Sequence, residues 1–256
     1  MNDDKGLYIA GMKSQSFVDE PGKTVAMIYL QGCNFDCGFC HNSVLIPMFS
    51  RDSKKTTVKQ LLEHLEDNFL IDGLVFTGGE PLLQPNIIHF VKAAREKYPF
   101  VAIDTNGTNP ALLAEVSPFL SRIAMDIKTS LLNYPRVAGK NVNITHVRKS
   151  IEFLCARSRD VGRVEFRMTY APPANSIDDI MAIADLLEQS GFSGNYKSHF
   201  VIQQFMPSDG VREANRKAYE TVVVDKLRII ARNVKGYNIP VAIRCQEQGY
   251  FVVNGD

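Results

Sequence analysis

The 256-residue sequence has no tryptophan, few cysteines and almost no excess of either charge. Its 29 lysines and arginines stand against 28 aspartates and glutamates, a formal net charge of +1. It therefore lacks the broad positive field on which many nucleic-acid-binding proteins depend, and no nucleic-acid partner is expected. No stretch approaches the roughly 18 consecutive apolar residues of a membrane span, and the acidic start, MNDDKGLYIAGM, lacks the apolar region of a secretory signal. We expect a cytoplasmic protein with no membrane partner.

Cysteine is too scarce for a disulfide framework, with five residues in the whole chain. Their spacing is uneven. Cys33, Cys37 and Cys40 lie within eight residues, whereas Cys155 and Cys245 stand alone beside core positions and are predicted to be small buried residues. Clustering of this kind indicates a metal site.

Segments typical of strands and helices alternate along the chain. Val25–Leu30 is a continuous apolar run, and further strands are predicted at residues 74–76, 100–103, 122–127, 164–169 and 199–205, with an added one at 241–245. Helices are predicted at residues 85–97, 110–116, 144–154 and 219–234. Thr57 begins another helix, with Gln60 completing a capping box. Ser176 is predicted to cap a further helix, whose inner face would be Ile177, Ile180, Met181, Ala184 and Leu187.

Six strand–helix units with short connections predict an α/β fold with a parallel sheet and helices on its outer face. Six units make a partial (βα)6 barrel of the TIM type, fewer than the eight of a closed barrel. We expect a single domain over residues 1–256, with a core at about 22–207 and an added helix and strand in residues 208–256.

Three unusual sequences directly follow predicted strands. They are the cysteine loop GCNFDCGFCHN at residues 32–42, TGGEP at 77–81 and DTNG at 104–107. In folds built on parallel strands, chemistry gathers where the strands end. The sequence therefore predicts that these segments meet in one site.

The cysteine loop allows several interpretations. A four-iron cluster ordinarily takes four thiolates, so three cysteines would leave one iron open to a substrate or cofactor. Residues 37–41 also match the haem-attachment pattern C-x-x-C-H, but that chemistry usually requires export and leaves Cys33 unexplained. Structural zinc needs a fourth ligand, and His41 directly follows Cys40 instead of standing at the usual spacing. A thioredoxin-type pair again leaves Cys33 surplus, and an electron carrier would want a fourth ligand.

The spacing C-x3-C-x2-C, with Phe39 before the third cysteine and GGEP one strand later, resembles the signature of the radical S-adenosylmethionine (SAM) superfamily. The resemblance implies a [4Fe-4S] cluster held by Cys33, Cys37 and Cys40, whose open iron binds the amino and carboxylate groups of SAM. One electron from the cluster would cleave SAM to methionine and a 5′-deoxyadenosyl radical. The segment Gly78, Gly79 and Glu80 would bind the SAM amino group.

Further segments resemble the activating enzymes of glycyl-radical enzymes, and most of all those of the anaerobic ribonucleoside-triphosphate reductase. They are FVDEPGK at residues 17–23, TGGEPLLQP, DTNG, MDIK at 125–128 and QQFMP at 203–207. Glu20 stands where a tyrosine is commoner in that group, and Gln203 and Gln204 stand where pyruvate formate-lyase activases have a histidine. The implied substrate is a glycine of the partner enzyme, and the implied reductant is flavodoxin or ferredoxin. The alternative is a radical SAM enzyme acting on a small metabolite, a peptide or a tRNA base.

By the same resemblance, the SAM contacts would also include Phe39, Asp104, Asn106, Asp126, Lys128 and Arg167. Asp104 and Asp126 would hold a cation beside the SAM carboxylate, which Lys128 would neutralise and Arg167 would reach. From the residues alone, the alternatives are an ordinary Asn-Gly turn, a surface ion pair of Asp126 with Lys128, and a solvent-facing Arg167. No catalytic residue beyond the cluster ligands is assigned, because hydrogen abstraction by a radical requires no general base. His41 is expected to support the loop, and His64, His89 and His146 to lie on the surface.

Overall fold

The computed structural model describes residues 6–139, 141–158, 162–192, 197–234 and 236–253. The first five residues of the acidic start lie outside this set. The strands are β1 (Leu7–Ser16), β2 (Val25–Leu30), β3 (Lys54–Thr56), β4 (Gly73–Gly78), β5 (Phe100–Thr105), β6 (Arg122–Asp126), β7 (Val164–Tyr170), β8 (His199–Gln204), β9 (Val241–Cys245) and β10 (Gly249–Val252). The helices are α1 (Val58–His64), α2 (Ile87–Lys97), α3 (Pro110–Val116), α4 (Tyr134–Val137), α5 (Ile144–Arg157), α6 (Ile177–Gln189) and α7 (Val224–Val234).

The strands form one ten-stranded sheet in the order β10-β9-β8-β7-β6-β5-β4-β2-β1-β3. The seven strands from β2 to β9 in this order are parallel, and β1, β3 and β10 pair antiparallel at the two edges. The predicted α/β fold with a partial barrel of parallel strands is confirmed. The expectation of a single domain stays a prediction. No helix of the described residues is long and apolar enough to span a bilayer.

Alternation along the strands separates an apolar outer face from a charged inner face. In β6, Ile123 and Met125 are fully buried among core residues of the helices. Arg122, before these two residues, and Asp126, after them, lie on the opposite face, where Asp126 borders a cavity. The same alternation in β7 sends Arg167 inward. The interior of the sheet is therefore polar where the strands end.

Local sequence explains the helix starts that were predicted well. Thr57 and Gln60 form the expected capping box at α1, and Ser176 with Asp179 forms one at α6. Each box satisfies backbone N–H groups that have no partner inside the helix.

Two predicted helices differ from the structure. The helix expected at residues 219–234 begins at Val224, because Tyr219 lies in an irregular segment and packs its ring on Phe39 instead. The helix expected at 85–97 begins at Ile87. In α6, Ile177 is 38% exposed and does not belong to the inner face.

The edge strands β1, β3 and β10 were not predicted, since their burial alternates irregularly and gives no clear apolar period.

Candidate active site

A cavity of about 370 Å³ opens where the parallel strands end. It brings together side chains of the cysteine loop, β4, β5, β6 and β7, and it extends down the inner face to Asp19, Met27 and Tyr29. The sequence-predicted site residues that line it are Cys33, Cys37, Phe39, Cys40, Gly78, Gly79, Asp104, Asn106, Asp126, Lys128 and Arg167. Glu80 does not line it.

The cysteine loop and the GGEP segment are interlocked through their backbones. Gly79 donates its N–H to Leu30 at 2.8 Å, and Glu80 donates to the carbonyl oxygen of Gly32 at 2.7 Å. A Cβ atom at Gly79 would lie only 2.0 Å from that same carbonyl oxygen. Only glycine permits this approach, so the paired glycines bring the end of β4 against the start of the cysteine loop.

The three loop thiols are unpaired and face the cavity. Burial raises the pKa of Cys33 to about 12 and that of Cys37 to about 11. The metal-free thiols of Cys33 and Cys37 are therefore protonated at neutral pH, and loading a metal centre must release those two protons.

The donor set of this loop bears on which metal centre it suits. In the described part of the chain, no three His, Cys, Asp or Glu side chains converge on the position of one metal ion. Zinc holds all its thiolates about 2.3 Å from one centre, whereas each thiolate of a four-iron cluster binds a different iron. Three cysteines of one loop around a cavity are the donor set of a four-iron cluster with one open iron, whereas a structural zinc ion would need a fourth ligand.

Aromatic residues of the loop pack against aromatic residues outside it. Phe35 packs edge-on against Tyr134 at 5.9 Å between ring centroids, and both phenylalanines of the loop are almost fully buried. His41 stacks on Phe205 at 5.4 Å and is hydrogen-bonded to the carbonyl oxygen of Met206 at 2.8 Å. Burial lowers the pKa of His41. These contacts agree with the supporting role expected for His41.

Residues 205–219, which we name the clamp segment, wrap the outer side of the cysteine loop. Gly210 accepts hydrogen bonds from the backbone and hydroxyl of Ser43 at 3.0 and 2.8 Å. Asn215 donates its side-chain amide to the carbonyl oxygen of Gly38 at 3.0 Å. Directly before Cys37, Asp36 forms an ion pair with Arg212. The clamp segment thus holds the loop at three points around Cys37 and Cys40.

Replacing Asn215 with alanine is expected to loosen the loop without unfolding the chain. One lost hydrogen bond costs about 1 kcal/mol, so a loaded cluster should decay about fivefold faster in air. The decay of the cluster absorbance measures this. Asn233→Ala, at an exposed position of α7, is the matched control, and equal decay of the two variants would contradict the assigned role.

Glu80 is fully buried behind the cavity wall. Its carboxylate accepts hydrogen bonds from the backbone of Leu82 at 2.9 Å, the hydroxyl of Thr105 at 2.7 Å and the backbone of Asn106 at 2.6 Å. Burial raises its pKa to about 7, against the opposing effect of these hydrogen bonds. The carboxylate therefore joins the GGEP segment to the DTNG segment.

The raised pKa of Glu80 predicts a pH-dependent stability. Between the ordinary pKa of 4.5 and about 7, the folded chain keeps a proton that the unfolded chain releases, so the free energy of unfolding falls as pH rises through this window. Relative to Glu80→Gln, which cannot titrate, the wild type should lose about 3 kcal/mol from pH 4.5 to pH 7.5. Urea unfolding of both metal-free proteins across this range measures the difference, and parallel curves would contradict it.

A small amide network, missed in the sequence, fixes the DTNG segment to the cysteine loop. The side chain of Asn106 donates to Asn34 at 2.8 Å, and that of Asn34 donates to Thr108 at 2.9 Å. The hydroxyl of Thr108 closes the network by donating to Asn106 at 2.7 Å. Polar residues inside a loop of cysteines were the available signal, because such residues need partners when buried.

The predicted charges at the strand ends belong to a larger set of ion pairs. Asp126 pairs with Lys128 at 3.0 Å and with Arg167 at 2.9 Å, and Arg167 also reaches Asp104 at 3.4 Å. Arg167 is therefore inside the sheet and not on its solvent face. Burial would raise the pKa of Asp104, but Arg167 and Arg122 outweigh it and hold that pKa below its usual range.

Sequence reasoning missed the deeper members of this set. Glu20 is almost fully buried and pairs with Arg122 at 2.9 Å and Arg163 at 2.5 Å. Arg163 also pairs with Glu165 at 3.2 Å. The inward positions of β6 and β7 carried the signal, since charged residues alternate there with apolar ones. The two lone cysteines, Cys155 and Cys245, are buried, as predicted. The three histidines expected on the surface are exposed: His64, His89 and His146.

Sequence comparisons bear on this site. Residues 27–195 match the family model described as the radical SAM superfamily. A candidate glycyl-radical enzyme activating enzyme of Methanocaldococcus jannaschii is 30% identical over 92% of this chain and 95% of its own length. The pyruvate formate-lyase-activating enzyme of Clostridium pasteurianum is 34% identical over 47% of this chain and 52% of its own length. A 7-carboxy-7-deazaguanine synthase of Rhodopirellula baltica is 25% identical over 66% of each chain.

Two solved structures share the fold. TYW1 with a lysine–pyruvate adduct bound superposes with a TM-score of 0.65 at 14% identity, over 88% of this chain and 77% of its own. QueE from Escherichia coli superposes with a TM-score of 0.58 at 13% identity, over 96% of this chain and all of its own. At such low identity the likeness concerns the partial barrel alone.

Proposed function

The chain belongs to the radical SAM superfamily, and we propose that it activates a glycyl-radical enzyme of the anaerobic ribonucleotide reductase type. Its cofactors are those of the superfamily, a [4Fe-4S] cluster and SAM. The proposed substrate is a glycine of the partner protein, which loses its α-hydrogen and keeps a stable radical. The observation that carries the proposal is the full-length similarity to a candidate activating enzyme, joined to a cavity whose site segments match that group.

The chemistry comes from the cofactors, and the chain orients and encloses them. When bound, the reduced cluster supplies one electron that cleaves SAM to methionine and a 5′-deoxyadenosyl radical. We assign Cys33, Cys37 and Cys40 as the cluster ligands. Phe39 shields the loop, because its ring is buried against Tyr219 at 6.0 Å between centroids.

The other sequence-predicted site residues that line the cavity are assigned to SAM. Gly78 and Gly79 line the cavity with backbone only, which suits the close approach of an amino group. Asp104, Asn106, Asp126, Lys128 and Arg167 supply the polar wall. Glu80, behind the wall, positions this segment through its three hydrogen bonds.

The ionisable side chains of this wall suit orientation and not proton transfer. Asp104, Asp126, Lys128 and Arg167 are held to one another in ion pairs. Lys128 and Arg167 have their pKa values raised, since the attraction of Asp126 and Asp104 outweighs burial. Groups fixed in one charge state at neutral pH support hydrogen abstraction by a radical, which needs no general base.

The proposal includes the setting of the reaction. Five unpaired cysteines and an oxygen-sensitive cluster favour the reducing cytoplasm. Flavodoxin or ferredoxin would supply the electron.

The test combines two measurements on the anaerobically reconstituted protein with SAM and dithionite. The substrate is an anaerobic ribonucleotide reductase, and the matched control is the same enzyme with its radical-site glycine changed to alanine. We expect 5′-deoxyadenosine to form, together with a protein radical seen by electron paramagnetic resonance with the glycine form only. SAM cleavage with no protein radical would count against this partner and favour a small metabolite, peptide or tRNA base as substrate.

A further inference from the structure

Among the residues that the structure describes, the ion pairs of the barrel interior form one unbranched chain of alternating charge. Eight ion pairs join nine side chains, and each inner member contacts one neighbour on either side. From one end to the other, the ion-pair chain runs Lys128, Asp126, Arg167, Asp104, Arg122, Glu20, Arg163, Glu165 and Arg244.

Both ends of the ion-pair chain are cations that line the cavity, Lys128 and Arg244. Four carboxylates therefore face five cations, which leaves one positive charge in excess. An excess charge away from water is costly unless an anion compensates it. The two proposed cofactors together do not supply that anion. A four-iron cluster with three thiolates has a net charge of −1, and SAM, with an ammonium and a sulfonium group against one carboxylate, cancels it.

Arg244 is the less satisfied of the two ends. Its carboxylate partner among the described residues, Glu165, lies 3.7 Å away, beyond hydrogen-bond distance, and Glu165 also pairs with Arg163 at 3.2 Å. Tyr250 covers one face of the guanidinium at 5.5 Å from the ring centroid. Burial, followed by the repulsion of Arg167, lowers the pKa of Arg244, in the direction expected for a cation short of counter-charge.

Two further polar side chains stand next to Arg244. The parallel register pairs Thr169 of β7 with Gln203 of β8, and Gln203 with Arg244 of β9. All three line the cavity, and among the described residues no hydrogen bond to the side chain of Thr169 or Gln203 is formed. A hydroxyl, an amide and a guanidinium thus lie side by side with donors available to a ligand.

We propose that Thr169, Gln203 and Arg244 bind a carboxylate group of the substrate. A guanidinium fork matches a carboxylate with two parallel hydrogen bonds. One excess positive charge also matches the single charge of a carboxylate better than the double charge of a phosphate. The source of this carboxylate rests on the proposed function, under which it belongs to an acidic residue near the reacting glycine. The other source is a free small acid.

Binding without turnover tests the subsite. The protein is loaded with cluster and SAM but given no reductant, and titrated by calorimetry with two pairs of probes. One pair is a glycine-centred hexapeptide with Asp or Asn beside the glycine, and the other is acetate and acetamide. We expect the acidic hexapeptide to bind at least about tenfold more tightly than its amide form. The variant Arg244→Gln should remove this difference.

Two further variants keep the result interpretable. Arg148→Gln, which removes an exposed arginine of α5, is the matched control and should retain the difference. Gln203→Met, which leaves the ion-pair chain intact, should also reduce the difference. It provides the test if Arg244→Gln fails to fold. If the protein distinguishes acetate from acetamide but not the two hexapeptides from each other, the carboxylate subsite is upheld and the proposed protein substrate is weakened. No discrimination by the wild type in either pair, or full discrimination by folded Arg244→Gln, would overturn the subsite.

Because no electron is supplied, this result does not depend on glycyl-radical formation. Failure to activate the reductase would leave a positive binding result standing, and the two proposals fail separately.

Discussion

Cys37→Ala is expected to abolish reductive SAM cleavage, leaving no more 5′-deoxyadenosine than an assay without protein. The thiol of Cys37 is almost fully buried, in the middle of the loop that the clamp segment holds. The two thiols that remain cannot hold a four-iron cluster that needs three protein ligands. The variant should therefore also lose most of its iron on anaerobic reconstitution, measured as iron and sulfide per chain.

The chain provides a matched control for this result. Cys155→Ala removes a thiol that is equally buried but lies on α5, away from the cavity. It should keep its full iron content and activity and lose about 1 kcal/mol of stability. A Cys37→Ala protein that still binds four irons and cleaves SAM would contradict the assignment of the loop as the cluster site.

The sequence predicted the fold well where a segment carried its own local signal. The buried parallel strands read as apolar runs, and the capping box expected at α1 formed. Ser176 caps α6 as expected, with Asp179 completing a box that was not predicted. The edge strand β1 was missed because it mixes exposed and buried positions and contains register shifts. Its place in the sheet is set by pairing with β2 and not by its own pattern.

The candidate site was predicted in outline for a similar reason. The cysteines and GGEP follow strands, so their meeting at one edge of the sheet follows from parallel topology. Glu80 was assigned to the cofactor, but the structure places its carboxylate behind the wall. The clamp segment could not be anticipated, because Asn215 meets Gly38 across 177 residues of chain and no local pattern specifies such a contact.

The interior charges show the same limit more strongly. Arg122 begins a strand and Glu20 lies in a turn, and neither position has a motif that links them. Their contact depends on the curvature of the whole sheet, which brings inward-facing residues of distant strands together. What the sequence did show was the alternation of charged with apolar residues in β6 and β7.

Arg122→Met is expected to destabilise the protein by about 3–5 kcal/mol. Arg122 is 2% exposed and lies between Glu20, at 2.9 Å, and Asp104, at 2.8 Å. Methionine fills much of the same volume but leaves both carboxylates with one partner fewer in a site shielded from water. The midpoint of urea unfolding of the metal-free protein at pH 7 measures the loss.

The same variant should change the response to acid. In the wild type, the low pKa of Asp104, held against burial by Arg167 and Arg122, stabilises the fold above the ordinary pKa of 3.8, and this contribution is lost as pH falls below it. Without Arg122 the pKa of Asp104 rises, so acid unfolding should begin at a higher pH. Arg148→Met, which breaks an exposed pair with Glu152 at 3.9 Å, should cost less than about 0.5 kcal/mol. An equally small loss for Arg122→Met would mean that water reaches the interior carboxylates, and the argument for an uncompensated charge at Arg244 would fail with it.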